Sequence, residues 1–335
     1  MLNVAMWAKA VNVIPRVSHE EWNGLDVISR WLIATRSAVL VMTFNSAAIA
    51  GLLAARDGAF DGVLWTLVTL GLLFAHATNN LVNDITDHVK GVDKDNYFRT
   101  QYGPQPLENG LMTKGQIYTY TAVTGLIALA AGIALVAMRG EQTMWLLASG
   151  IFFVLFYTWP LKYIGMGEVA VILVWGPLMV GGGYYVVTGQ ITSSVLIASL
   201  PVALAATTVL FGKHTDKLEA DAAKGIRTMP VLLGERNSRW VTIVMLTLQY
   251  LLVLWLVLRG DLSWLMLTVA LALPYYVRGV RAFSHPRPSA PPAEYPPNIW
   301  PLWYAAFAFS HTRRFGGLFL LGLALDVAAH RLGLL

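Results

Sequence analysis

The chain has no cysteine, which excludes disulfides, thiolate nucleophiles and cysteine-held metals. Charge is also scarce. Asp, Glu, Lys and Arg make up 13% of 335 residues against 56% hydrophobic residues, too little polar surface for a water-soluble globule. Acids are outnumbered 19 to 24 by bases, giving a net charge of +5. The bases form no continuous basic face, which excludes nucleic acid as a partner. Residues 1–30 lack both the uninterrupted apolar core and the small-residue cleavage site of a signal peptide. They read as an amphipathic lead-in lying on a membrane surface.

Long apolar runs recur instead. Segments near 37–55, 63–82, 116–138, 142–160, 168–187, 192–212, 239–258, 262–281 and 315–334 approach the roughly 20 residues needed to cross a bilayer. They predict an all-α polytopic membrane protein of nine transmembrane helices in one domain over 1–335. Residues 284–298 form a Pro-rich loop, and Ile299–Ser310 reads as an interfacial piece or the first half of a tilted last helix. With this count Arg56, Arg139, Arg259 and Arg331 lie on one side and every other Lys and Arg on the opposite side. The positive-inside rule makes the second side cytoplasmic, with the N-terminus on it. A cell (inner) membrane of bacterial type is the expected location.

Two acidic clusters close helices on that side. The first, NNLVNDITDHVKGVDKD from Asn79 to Asp95, follows the second apolar run. If the helix continues through it, Asn80, Asn83, Asp84 and Asp87 share one face, with Asp93 and Asp95 a little further on. Such an oxygen-rich set suits Mg²⁺, which commonly bridges carboxylates to substrate phosphates, and so implies a diphosphate substrate. Zinc is disfavoured because His88 has no second His or Cys at ligand spacing.

The second cluster, KHTDKLEADAAKGIRTMPVLLG from Lys213 to Gly234, interleaves Asp216, Glu219 and Asp221 with Lys213, Lys217, Lys224 and Arg227. Alone it reads equally as helical ion pairs, since Lys217 and Asp221 are four apart. Together the two clusters can hold two Mg²⁺ ions, with Lys and Arg stabilising a departing diphosphate. Tyr157 and Lys162 flank a Pro turn on the same side, in YTWPLKYIGMGE. Arg36, at the start of the first span, is placed to meet an acidic group on an acceptor, or to serve as a snorkelling anchor. Asp326 and His330, in the last span, read as interfacial groups on the far side. A transporter would gather its ionisable residues near the bilayer midplane, whereas these carboxylates gather at one face.

These motifs resemble the signature elements of the UbiA superfamily of intramembrane prenyltransferases: Asn83-Asp84-x-x-Asp87, Tyr157…Lys162, and an Asp-containing cluster followed by Gly225-Ile-Arg-Thr-Met-Pro. The pattern from Asn80 through Gly91-x-Asp93, with GMGE at Gly165–Glu168, is similar to the branch that prenylates 1,4-dihydroxy-2-naphthoate for menaquinone. The resemblance implies nine helices around a central cavity open to the cytoplasm and to lipid. It also implies polyprenyl transfer from a polyprenyl diphosphate to a small aromatic acceptor. Asn83, Asp84 and Asp87 would hold one Mg²⁺, and Asp216 and Asp221 the second. Asn80, Tyr157, Lys162, Lys213 and Arg227 would meet the diphosphate, and Arg36 the acceptor. A terpene cyclase on the same scaffold would need the same metal and no acceptor. The chain departs from the family in two places. Asp216 and Asp221 are five apart, about 140° away from each other on a regular helix, so a bulge, or Lys217 in the usual Asp position, is expected. Gln105 stands where many relatives carry Arg.

Overall fold

The computed structural model describes residues 2–92, 103–295 and 299–334. Asp93 and Asp95 lie outside them. Among the described residues six helices are long and apolar enough to cross a membrane: Ser37–Arg56, Gly62–Val89, Lys114–Arg139, Gly167–Thr188, Ser193–Asp216 and Met229–Leu258. Shorter helices accompany them, and large apolar side chains such as Trp145 and Leu271, each 69% exposed, face outward as lipid contact requires. The protein is an all-helical, multi-pass membrane protein. Its chain divides into two compact units, one of Met1–Phe44 with Leu67–Pro160 and one of Asn45–Thr66 with Leu161–Leu335.

In the first unit the N-terminal lead-in folds into α1 (Val4–Asn12), α2 (His19–Gly24) and α3 (Val27–Ala34). Their starts are written locally. Asn3 caps α1, Ser18 and Glu21 form a reciprocal capping box on α2, and Asp26 caps α3. Asp26 also accepts hydrogen bonds from the Trp7 indole and the Asn3 amide. Burial opposes its ionisation, but the bonds from Ser29, Trp7 and Asn3 prevail and hold its carboxyl well below the usual range. The apolar faces do more than rest on lipid: Trp22, Ile33 and Ala34 are buried in one cluster with Leu81 and Ile117. Leu81 belongs to α5 (Gly62–Val89), which follows α4 (Leu40–Arg56). Ile117 belongs to α6 (Lys114–Arg139), which precedes α7 (Glu141–Phe156).

The second unit is built around α9 (Ser193–Asp216), which packs on α8 (Gly167–Thr188), α11 (Met229–Leu258) and α13 (Tyr304–Arg331). Between these lie the one-and-a-half-turn α10 (Leu218–Ala223) and a stretch of 3₁₀ turns, Trp264–Ala272, running into α12 (Leu273–Ser284). Six of the nine predicted spans fall on the six long apolar helices, while the fourth falls on the shorter α7, the eighth on the 3₁₀ stretch with α12, and the ninth on α13. The second runs on to Val89, carrying the first acidic cluster inside α5. The seventh begins at Met229 and turns at Gly234. The last begins at Tyr304, so most of the aromatic segment Ile299–Ser310 is its first half. Asp326, read as interfacial, is fully buried and paired with Arg56 at 2.8 Å.

Candidate active site

In the first unit the acid-rich face of α5 is continuous. Asp84 is 2% and Asp87 3% exposed, Asn80 is buried and Asn83 half-buried. Opposite Asp84 is Arg36, in the break between α3 and α4, whose guanidinium donates a hydrogen bond to Asp84 Oδ1. Arg36 has φ 54° and is the one non-glycine residue with positive φ among those described. That conformation costs about 1–3 kcal/mol and persists where the surroundings over-determine it. Asn80 helps to impose it by donating Nδ2 to the Thr35 carbonyl at 2.8 Å. Arg36, expected to meet an acceptor's acid group, is placed against Asp84. Asn80, expected on the diphosphate, has its amide nitrogen bonded to Thr35 and helps to hold the turn that presents Arg36.

Below Asp87 the helix closes on Gly91 at φ 68°, with Gly91 N donating to His88 O at 3.0 Å and Val92 N to Asp87 O at 2.9 Å. The second unit repeats this closure. Gly225 at φ 69° ends α10, with Gly225 N donating to Ala222 O at 3.0 Å and Ile226 N to Asp221 O at 2.9 Å. Each is a left-handed glycine cap with the following apolar residue tucked in. An Asp stands four residues before each glycine. The shared Asp-x-x-x-Gly is legible in the sequence and puts Asp87 and Asp221 in register.

The rest of the second cluster does not repeat the first. The helix breaks at Lys217, so the regular-helix angle between Asp216 and Asp221 does not apply. Asp216 turns toward α13, where Oδ1 accepts from Tyr304 N at 3.0 Å and Oδ2 from Ala305 N at 2.9 Å. Arg287 Nη1 is 3.9 Å away. Asp216, expected as a metal ligand, is placed so that its two oxygens cap the start of the last helix. Asp221, 1% exposed, accepts from Lys217 Nζ at 2.8 Å, and its Oδ2 has no hydrogen-bond partner among the described residues.

The remaining expected residues fall as follows. Lys162 is buried in a single 3₁₀ turn, Leu161–Ile164, Lys213 is half-buried near the end of α9, and Arg227 is exposed after α10. Tyr157 ends α7 in the first unit. Gln105 is buried, and its backbone N–H is bonded to Asn109 Oδ1. Two groups escaped the sequence reading. His76 lies one helical turn before Asn80 on the same face of α5, its Nδ1 2.7 Å from Thr43 Oγ1, and the i,i+4 spacing was the available signal. His214 Nδ1 is 2.6 Å from Glu168 Oε1, and Glu168 Oε2 accepts from Met229 N at 3.2 Å. Glu168 thus ties α8, α9 and the start of α11 together. Glu168→Ala, which removes the acceptor of both His214 and Met229 N, is expected to destabilise the protein by about 2–6 kcal/mol. A lowered thermal midpoint in detergent, with Glu168→Gln intermediate, checks this.

Among the described residues no three carboxylate or imidazole groups converge. An ion on α5 would rest on two carboxylates, amide oxygens, water and substrate phosphate, the usual partners of Mg²⁺. The donor set therefore fits that metal.

Fold and site define a polytopic helical membrane protein with an oxygen-donor face on one of its long helices. A model of the UbiA prenyltransferase family matches residues 44–302, and the chain belongs to that family and is a prenyltransferase. It is 29% identical over 221 residues to 1,4-dihydroxy-2-naphthoate octaprenyltransferase of Escherichia coli (strain K12), covering 62% of this chain and 70% of that one. It is 28% identical over 253 residues to UbiA prenyltransferase domain-containing protein 1 of Gallus gallus, covering 73% and 72%. Among solved structures the fold is shared with a UbiA homologue from Aeropyrum pernix K1 (TM-score 0.64, 15% identity, 86% of this chain and 98% of that one). It is also shared with an Archaeoglobus fulgidus UbiA homologue bound to GPP and Mg²⁺ (TM-score 0.54, 14% identity, 85% and 99%).

Proposed function

We propose that the protein transfers a polyprenyl group from polyprenyl diphosphate to an aromatic acceptor of the 1,4-dihydroxy-2-naphthoate kind, using Mg²⁺, in quinone biosynthesis. The observation that carries this reading is the face of α5, where Asn83, Asp84 and Asp87 form an oxygen-donor set steadied by Arg36. Those three residues would hold the metal. When bound, Mg²⁺ draws charge from the diphosphate leaving group. Lys162, Lys213 and Arg227, from the second unit, are the phosphate-binding cations in this reading, with Tyr157 donating its hydroxyl. Arg36 orients Asp84. The E. coli relative's naphthoate acceptor supports a naphthoate-type substrate. The same reading takes the chain as one functional domain with nine spans in a bacterial cell membrane, its motif loops cytoplasmic.

The test uses purified protein, Mg²⁺, radiolabelled geranylgeranyl or longer diphosphate, and a panel of aromatic acids. Label is expected in prenylated product only when a dihydroxynaphthoate-type acceptor is present. A labelled hydrocarbon formed without acceptor would replace transfer by cyclisation, and label on a different acid would replace the acceptor.

A further inference from the structure

Setting the two glycine-capped helix ends in register gives two frames. In the first, Asn80, Asn83 and Asp87 stand eleven, eight and four residues before Gly91. In the second the same places before Gly225 hold His214, Lys217 and Asp221. The backbone closure is the same, down to the 2.9 Å bond from the residue after the glycine to the Asp carbonyl. The side chains are not. Where the first frame offers an amide, the second has a buried ammonium, 5% exposed and 2.8 Å from Asp221. Where the first also has Asp84, the second has Leu218.

The other anions near the second frame are engaged elsewhere. Both Asp216 oxygens accept backbone N–H groups of α13. Glu168 is bound by His214 and by Met229 N. Glu219 is exposed. Asp221 is left as the frame's carboxylate, and Lys217 cancels its charge. A hard dication needs several oxygen ligands and surplus negative charge. This frame supplies one carboxylate and a cation already in place, so it does not fit a metal.

We infer that the second frame, with the Lys217 ammonium where the first offers Asn83, holds no metal, and that this prenyltransferase binds a single Mg²⁺ per chain, on α5. The inference rests on the proposed reading of α5 as the metal-holding face. A lysine is a point charge in the place of an oxygen donor. Held by Asp221, it leaves that carboxylate no surplus negative charge with which to recruit a dication.

Counting metal tests this directly. The full-length protein in detergent is titrated with Mn²⁺, as a probe for Mg²⁺, in the presence of unreactive geranylgeranyl thiolodiphosphate, and bound Mn²⁺ is read by electron paramagnetic resonance. One Mn²⁺ per chain is expected for the native protein, none for Asp87→Asn, and two for Lys217→Asp. Lys217→Met should still bind one. If Lys217→Asp fails to fold, the native measurement decides. Two ions in the native protein overturn the inference and leave the α5 reading standing. No ion in the native protein, or one that persists in Asp87→Asn, overturns both.

Discussion

Asp87→Ala is expected to lower kcat/KM for prenyl transfer by about 10²–10³-fold, the usual cost of losing one stabilising group for developing anionic charge. The structural reason for choosing Asp87 is that its carboxylate can be removed without opening the helix. The cap at Gly91 uses the Asp87 carbonyl, accepting from Val92 N at 2.9 Å, and leaves its side chain out of the closure. The closure at Gly91 should therefore persist, and the Mg²⁺ concentration for half-maximal rate should rise. Asp84→Ala disturbs a second element as well. It removes the carboxylate that receives Arg36, leaving a guanidinium 10% exposed on a turn held at φ 54°. That variant should lose activity and stability together, because breaking a buried ion pair strands the remaining charge. A kinetic assay beside a melting curve separates the two cases. If both variants released diphosphate at the native rate, the metal assignment on α5 would be wrong.

The contrast between these carboxylates explains which parts of the site could be read from sequence. Asn80, Asn83, Asp84 and Asp87 lie within two turns of one uninterrupted helix, so three- and four-residue spacing alone puts them on one face. Arg36 was legible as a charged residue at a span boundary, but its partner is 48 residues away and its left-handed backbone has no marker in residue type. The spans themselves followed from apolar runs. Their ends did not, because α5 and α13 extend into polar sequence where tertiary contacts sustain the helix. The lead-in's amphipathic character was visible. Its packing on Leu81 and Ile117, which lie far along the chain, was not. The second cluster was the least legible. Its spacing was judged on a regular helix, and the chain instead breaks at Lys217 and sends Asp216 to a helix start 88 residues on.

That redirection leads to the second large effect. Asp216→Ala should destabilise the protein by about 2–6 kcal/mol, since each of the two buried N–H donors it leaves unsatisfied costs about 1–3 kcal/mol. The side chain is 4% exposed, so water cannot replace it at Tyr304 N and Ala305 N. Asp216→Asn keeps one acceptor oxygen and should recover about half the loss. The consequence reaches beyond the cap. Tyr304, whose N–H is bonded to Asp216, is itself buried, stacks on Phe283 and donates its hydroxyl to the His285 carbonyl and Glu235. Loosening Asp216 should therefore release the start of α13 from α12 and α11, and hydrogen exchange should quicken at Tyr304 and Ala305 before it does at Phe319. The metal count should stay that of the native protein, and the folded fraction should keep its Mg²⁺ requirement. A variant with an unchanged melting curve but a raised Mg²⁺ requirement would return Asp216 to the metal-ligand role that its spacing first suggested.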